Sequence, residues 1–326
     1  MLEHGGGVRR AALQFGIPLG EWLDLSTGIN PHARLPEPPP PECWARLPEE
    51  EDGLEAAAQE YYGTSFVLPM AGSQAAIQIL PRLRPAGRIA IVHPTYAEHA
   101  HAWSQAGHQV ETLSATILEH CLERFDVVVV VNPNNPTSDL ISCERLLSWH
   151  ENLRHRQGWL VVDEAFMDPI PSGSLSAHVE LSGLIVLRSL GKFFGLAGVR
   201  VGFMLAEPGL LTKARELQGP WSVTGPSRHA ARLALMDRPW QERTRLQLLE
   251  ASNRLATLLR HSGLAPVGGT ALFQWVPTEQ AQCWWSRLAM QGILVRMFTH
   301  PSGLRFGLPG QETSWDRLAA ALVKTV

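Results

Sequence analysis

Lysine is nearly absent from this chain: of its 28 basic residues only Lys192, Lys213 and Lys324 are lysines, and the rest are arginines. Cysteine is scarce as well. Cys43, Cys121, Cys143 and Cys283 are scattered and form no C-x-x-C pair. A disulfide framework and a cysteine zinc site are therefore both disfavoured, no metal site is expected, and a reducing cytoplasm fits best. Charge of one sign is not in excess, since 31 acidic residues face the 28 basic ones for a formal net charge of -3. That balance leaves no basic patch to draw nucleic acid or an anionic lipid surface. No apolar run approaches the ~20 residues that span a bilayer; Val127 to Val131 is short. The opening MLEHGGGVRR has no apolar core of the kind a secretory signal carries. No internal repeat occurs, and low complexity is confined to the prolines between Leu35 and Cys43.

The 326 residues are 45% hydrophobic and 18% charged, the profile of a soluble globular protein with room for one large domain and a smaller one. The eleven tryptophans read as core and interface packing. Four short apolar runs, Ile89 to Val92, Val127 to Val131, Leu160 to Val162 and Leu184 to Leu187, are separated by helical or loop sequence. Continuous apolar runs of this length predict strands buried on both faces, as in a parallel sheet covered by helices. Val201 to Leu205 is expected to be a further strand closing one edge. Helices are expected over Gly53 to Tyr62 and Gln74 to Leu83. From about Gly225 the character changes. A long amphipathic helix, Ser227 to His261, is broken near Pro239. Strands follow at Leu272 to Val276, Leu294 to Met297 and Leu304 to Leu308, with helices at Thr278 to Gln291 and Thr313 to Lys324. The expected fold class is α/β, with residues 51–225 as a large domain on a mainly parallel sheet. Residues 226–326 form a smaller α+β domain, completed by an arm at residues 1–50.

In an open parallel sheet, ligands bind beyond the carboxyl ends of the strands. The residues there are Pro94-Thr95-Tyr96, then Asn132 to Thr137 (N-P-N-N-P-T), then Asp163 to Phe166 (D-E-A-F), then Ser189 to Lys192 (S-L-G-K). All suit one small anionic cofactor. Gly72, Ser73 and Gln74 open a helix, where backbone N–H groups and the helix dipole can hold an anion. Lys213 lies in a polar helical stretch and Lys324 two residues from the C-terminus, both as solvated surface. Lys192 follows an apolar run and sits among glycines, so an amine needed for chemistry would be this one.

The block S-L-G-K-F-F-G-L-A-G-V-R-V-G, Ser189 to Gly202, together with the strand-end residues, resembles the aspartate-aminotransferase-like (fold type I) enzymes of pyridoxal 5′-phosphate (PLP). Within them it is most similar to the branch holding histidinol-phosphate aminotransferases and threonine-phosphate decarboxylases. The resemblance implies a PLP-dependent transferase-like fold, Lys192 and Asp163 as catalytic residues, and Lys192 as the covalent anchor of the cofactor. Asp163 would face the pyridine nitrogen, Asn135 the phenolic oxygen and Tyr96 the ring. Gly72, Ser73, Gln74, Ser189 and Arg200 would hold the phosphate. Phe166 and Leu47 stand where many relatives have tyrosine, which removes a hydrogen bond to the cofactor at the first and a contact to a neighbouring subunit at the second.

Arg305, in G-L-R-F-G, matches the family arginine for the substrate carboxylate. The H-G-G-G run from His4 to Gly7 and L-D-L-S-T-G-I-N-P from Leu23 to Pro31 resemble signatures of the decarboxylases. That implies substrate contacts from Gly28, Ile29 and Asn30 and a substrate-phosphate contact from His4. The activity so implied is decarboxylation of L-threonine O-3-phosphate to aminopropanol phosphate for cobalamin. Histidinol-phosphate or another transamination, and a non-catalytic PLP-fold regulator, remain the alternatives. A homodimer is implied, with no nucleic-acid or membrane partner.

Overall fold

The computed structural model describes residues 4–35 and 37–323. The first three residues of the N-terminal sequence, Pro36 of the proline cluster, and Lys324 lie outside the described residues. Twelve strands form among those described. They are β1 Leu23–Leu25, β2 Val67–Met70, β3 Arg88–Val92, β4 Gln109–Leu113, β5 Val127–Val131, β6 Trp159–Asp163, β7 Leu184–Ser189, β8 Gly202–Leu205, β9 Gly268–Thr270, β10 Phe273–Pro277, β11 Ile293–Thr299 and β12 Ser302–Gly307. The chain divides into two units, one of Met1–Ala33, Pro136–Ser138 and Arg243–Val326, the other of Arg34–Asn135 and Asp139–Glu242.

The larger unit is built on a seven-stranded sheet of order β2-β8-β7-β6-β5-β3-β4. β4, β3, β5, β6 and β7 run parallel, and β8 is reversed between β7 and β2. The centre of the sheet is made by the apolar runs. Val129, Val161 and Ile185 on one face and Val128, Leu160 and Val186 on the other are all fully buried. Each such side chain contributes about 1.5–3 kcal/mol relative to exposure, so helices must cover both faces. Val201 to Leu205 does not close the edge. β8 lies one strand in, and β2 is the edge beyond it. β2 and β4, the two edges, are strands that the apolar runs did not reveal. β2 contains Pro69, which lacks an N–H and suits an edge. β4 reads Q-V-E-T-L and is only part-buried.

The helix expected from Ser227 to His261 is two helices, Gly225–Met236 and Arg238–His261. Pro239 has no N–H to continue the ladder, and Asp237 Oδ1 instead accepts from the Trp240 N–H at 3.1 Å. The first of these helices belongs to the larger unit. Its buried Arg228 bonds Asp52 at 2.7 and 2.8 Å and Glu55 at 2.7 Å. That helix and the segment from Arg34 both lie in the larger unit.

The smaller unit carries a five-stranded sheet of order β1-β11-β12-β10-β9, antiparallel except for β1 beside β11. The N-terminal segment supplies β1. Leu25, Phe273 and Phe306 are buried in this unit, as are Leu318 and Leu322 of the helix Glu312–Val323.

Candidate active site

The reversed strand β8 brings three chain segments together at one end of the larger unit's sheet. Gly202 pairs with Ser189 at the end of β7 and with Met70 at the end of β2. Gly72 and Ser73 follow Met70, and Arg200 precedes Gly202. The packing is close. A Cβ at Gly202 would stand 2.4 Å from the Ser73 amide nitrogen, and one at Gly72 would stand 2.7 Å from Arg200 Nη2. At Gly202 the neighbours are backbone atoms and only glycine permits the approach, while at Gly72 it is the φ of 76° that requires glycine. Arg200 holds a left-handed backbone and donates from Nη1 to the Ala197 carbonyl at 3.0 Å. A guanidinium, the Ser189 hydroxyl and the opening amides of the helix Ser73–Ile79 thus gather where an anion fits.

Asp163 ends β6 beside Val131 and Leu187. It is buried, accepts the Ala165 N–H on Oδ1 at 3.0 Å, and meets His99 Nε2 with Oδ2 at 2.9 Å. His99 is itself buried, on the helix Glu98–Gln105. The sequence reading did not single it out, although it lies three residues after Tyr96. Tyr96 donates to Gln74 Oε1 at 3.3 Å, and Gln74 donates to Glu98 at 3.0 Å. Burial, then the nearby carboxylates Glu98 and Asp163, push the Tyr96 phenol up to about 12.

Asn135 sits on the turn after β5. Asn134, the residue before it, fastens that turn, donating to the Pro94 carbonyl at 2.7 Å and accepting from Thr95 Oγ1 at 2.8 Å. Lys192 is half-buried with Nζ 5.2 Å from the centre of the Phe166 ring. Phe166 therefore gives the amine an apolar wall where a tyrosine would give a hydroxyl. Leu47 is exposed.

Behind the site lies a second group of residues that sequence reasoning missed. Arg188 of β7 is fully buried; it bonds Glu164 at 2.7 Å and Asp168, and lies 4.8 Å from the centre of the Tyr62 ring. Burial works against its charge, and Asp168 and Glu164 outweigh that, so its affinity for the proton rises. Ser174 Oγ and the Leu175 N–H also bond Glu164, at 2.5 and 2.8 Å. Glu164 adjoins Asp163 and Arg188 adjoins Ser189, so this network fixes two strand ends that carry site residues.

In the smaller unit Arg305 of β12 is buried, donates to the Ser26 carbonyl at 2.6 Å and lies 5.1 Å from the centre of the Phe273 ring. Burial, then Arg296 opposite it in the β11–β12 register, push its guanidinium down to about 9. Arginine keeps its proton in proteins, so Arg305 holds a buried positive charge beside Arg296, with Asp24 acting in its favour. Arg296 is a residue the sequence reading passed over. Gly28 takes φ 61°, and Asn30 is buried with Oδ1 accepting from the His32 N–H at 2.9 Å. Ile29 between them is half-buried, and His4 is exposed.

The donor set of the larger unit fits PLP. The glycine cradle beside Arg200 suits its phosphate, the buried Asp163 carboxylate its ring nitrogen, and the Lys192 amine its aldehyde.

The model of the family described as aminotransferase class I and II matches residues 47–322. The chain is 54% identical over 323 residues to a threonine-phosphate decarboxylase of Pseudomonas aeruginosa, covering 99% of this chain and 98% of that one. It is 41% identical over 333 residues to a threonine-phosphate decarboxylase of a Sinorhizobium species, covering 99% and 98%. A solved histidinol-phosphate aminotransferase from Sinorhizobium meliloti, in complex with pyridoxal-5′-phosphate, superimposes with a TM-score of 0.84 at 21% identity, covering 99% of this chain and 95% of that one. At that identity the likeness establishes the fold. The chain belongs to the aminotransferase class I and II family, as the Ser189 to Gly202 block implied.

Proposed function

We propose that this chain decarboxylates L-threonine O-3-phosphate with PLP as cofactor, yielding CO₂ and 1-amino-2-propanol O-2-phosphate for cobalamin assembly. The observation that carries this reading is 54% identity across 99% of the chain to a threonine-phosphate decarboxylase. Bound PLP supplies an electron sink for the pair left at the substrate Cα when a bond there breaks.

The chain's own residues then have distinct tasks. Lys192 anchors the cofactor and returns a proton to Cα. Asp163, oriented by His99 and the Ala165 N–H, holds a proton on the ring nitrogen. Asn135 donates to the phenolic oxygen, and the Tyr96 ring covers the cofactor face. Arg200, Ser189 and the amides of Gly72, Ser73 and Gln74 take the phosphate. Arg305 takes the substrate carboxylate. Its neighbour Arg296 adds a second positive charge, which suits a substrate bearing two anions. Gly28, Ile29 and Asn30 line the substrate side, and His4 serves the substrate phosphate. Arg305 and the residues beside it, which would orient the substrate carboxylate, would set whether CO₂ or the Cα hydrogen is lost.

The functional form is a cytoplasmic homodimer. Among the described residues no helix is long and apolar enough to cross a membrane. The test is incubation of the PLP-loaded protein with L-threonine O-3-phosphate and no oxo acid. CO₂ and aminopropanol phosphate are expected with wild type and absent with Lys192→Ala. No CO₂, but glutamate formed from histidinol phosphate and 2-oxoglutarate, would replace this reading with an aminotransferase.

A further inference from the structure

Ser26 follows β1 and is buried, at 2% exposure. Its hydroxyl donates to Asp24 Oδ1 at 2.6 Å and accepts the Gly6 N–H at 2.7 Å, while its carbonyl accepts from Arg305 Nη2 at 2.6 Å. Asp24 Oδ1 also accepts the Ser26 N–H at 2.9 Å, which closes a tight turn around the residue. The same carbonyl oxygen that binds Arg305 is the atom a side chain at Gly5 would strike, at 2.3 Å. The glycine arm and the buried arginine are therefore both fitted to one residue, and the glycine at position 5 is what lets the arm lie there.

We propose that Ser26 is a positioning residue that ties the N-terminal glycine arm to Arg305 and thereby sets affinity for a ligand carrying a carboxylate and a phosphate. Arg305 sits beside Arg296 in the strand register, so two like charges must be held in a fixed relation to receive two anions. The hydrogen bond from Nη2 to the Ser26 carbonyl orients the guanidinium. The Ser26 hydroxyl, committed to Asp24 and Gly6, holds that carbonyl still. The inference rests on the decarboxylase reading for the identity of the substrate, and on the contacts above for the geometry.

The test is a double-mutant cycle on the PLP-loaded enzyme, read by calorimetric binding of 3-phosphonopropanoate. This probe has a carboxylate and a phosphonate but no amine with which to react. Ser26→Ala removes the acceptor for Gly6 and keeps the carbonyl. It is expected to weaken the Kd about tenfold, about 1.4 kcal/mol. The KM for L-threonine O-3-phosphate should rise in parallel while kcat stays within about twofold, the pattern of lost ground-state binding. Gly5→Ala, which presses on the carbonyl, should act in the same direction and carries the cycle if Ser26→Ala does not fold. In an Arg305→Gln background either change should cost less than about twofold, because its effect passes through the arginine. Equal losses in both backgrounds, or no loss in either, would overturn the proposal. A wild-type protein that binds the phosphonate but releases no CO₂ from the phosphothreonine would remove the decarboxylase reading and leave the binding cycle to decide the role of Ser26.

Discussion

Replacing Gly72 by alanine probes the phosphate end of the cradle, and its effect can be worked out from the geometry. Gly72 lies at φ 76°, ψ 162°, a region occupied essentially by glycine, where another residue costs about 1–3 kcal/mol. The new Cβ would stand 2.7 Å from Arg200 Nη2 and 3.3 Å from its Cζ, inside the ~3.5 Å at which non-bonded atoms settle. Arg200 is an exposed side chain, whereas Gly72 is buried and its backbone is held by its own N–H to the Met70 carbonyl at 2.7 Å and by the Ala75 N–H to its carbonyl at 3.1 Å. The guanidinium is therefore what moves. A hydrogen bond to a charged group contributes about 1.5–3 kcal/mol, and each 1.4 kcal/mol is about tenfold. PLP affinity should therefore fall roughly ten- to a hundredfold, and the backbone strain should lower Tm by about a few degrees. Titration of PLP into the apo-protein, followed by tryptophan fluorescence, measures the first effect. Gly209→Ala is the control, because a Cβ there meets nothing within 4 Å. A Gly72→Ala protein with wild-type PLP affinity would refute the placement of the Arg200 guanidinium over this glycine.

Three further outcomes are expected. His99→Ala strands one oxygen of a buried carboxylate, at a cost of about 1–3 kcal/mol. Thermal melts should show the loss, His99→Gln should recover part of it, and an unchanged Tm would contradict the His99–Asp163 contact. Arg188→Met leaves Glu164 and Asp168 buried without their counter-charge, a change of about 3–5 kcal/mol, so the urea midpoint should drop sharply; a midpoint equal to wild type would be the adverse result. The Tyr96 phenol, raised by burial and then by Glu98 and Asp163, should ionise near about 12 rather than the ordinary ~10. Over that window the unfolded chain releases its proton first, so the folded state binds more protons and loses stability as pH rises. An ultraviolet titration of wild type minus Tyr96→Phe with a midpoint at the ordinary value would count against the burial described.

The parts of the fold legible in the sequence were those whose physics is local. Val127 to Val131 and Leu184 to Leu187 could only be strands covered on both sides, and the polar residues after them had to lie at one end of the sheet. β4 was not legible because an edge strand is paired along one side only and Q-V-E-T-L is part polar, whereas β2 is apolar and buried throughout but is interrupted by Pro69, which argues against a strand. The site divides in the same way. Lys192, Asp163 and Arg200 sit in distinctive local contexts. His99 and Arg188 gain their meaning only when a helix or strand distant in sequence sets a carboxylate beside them. Arg296 shows the same limit: nothing in I-L-V-R-M-F-T marks it until the β11–β12 register places it opposite Arg305. Ser26 lay inside a segment that resembled a family signature, yet its contacts with Gly6 and Arg305 span 20 and 279 residues of sequence.

The most direct test of the central claim follows the fate of the Cα hydrogen. L-threonine O-3-phosphate deuterated at Cα is turned over by the PLP-loaded protein in ordinary water, and the product is read by mass spectrometry and NMR. Decarboxylation breaks the bond from Cα to the carboxylate and leaves the deuterium in place. The account therefore predicts aminopropanol phosphate bearing one deuterium and one solvent proton at C1. Loss of the deuterium to solvent, with the carboxylate retained in a 2-oxo acid, would contradict it.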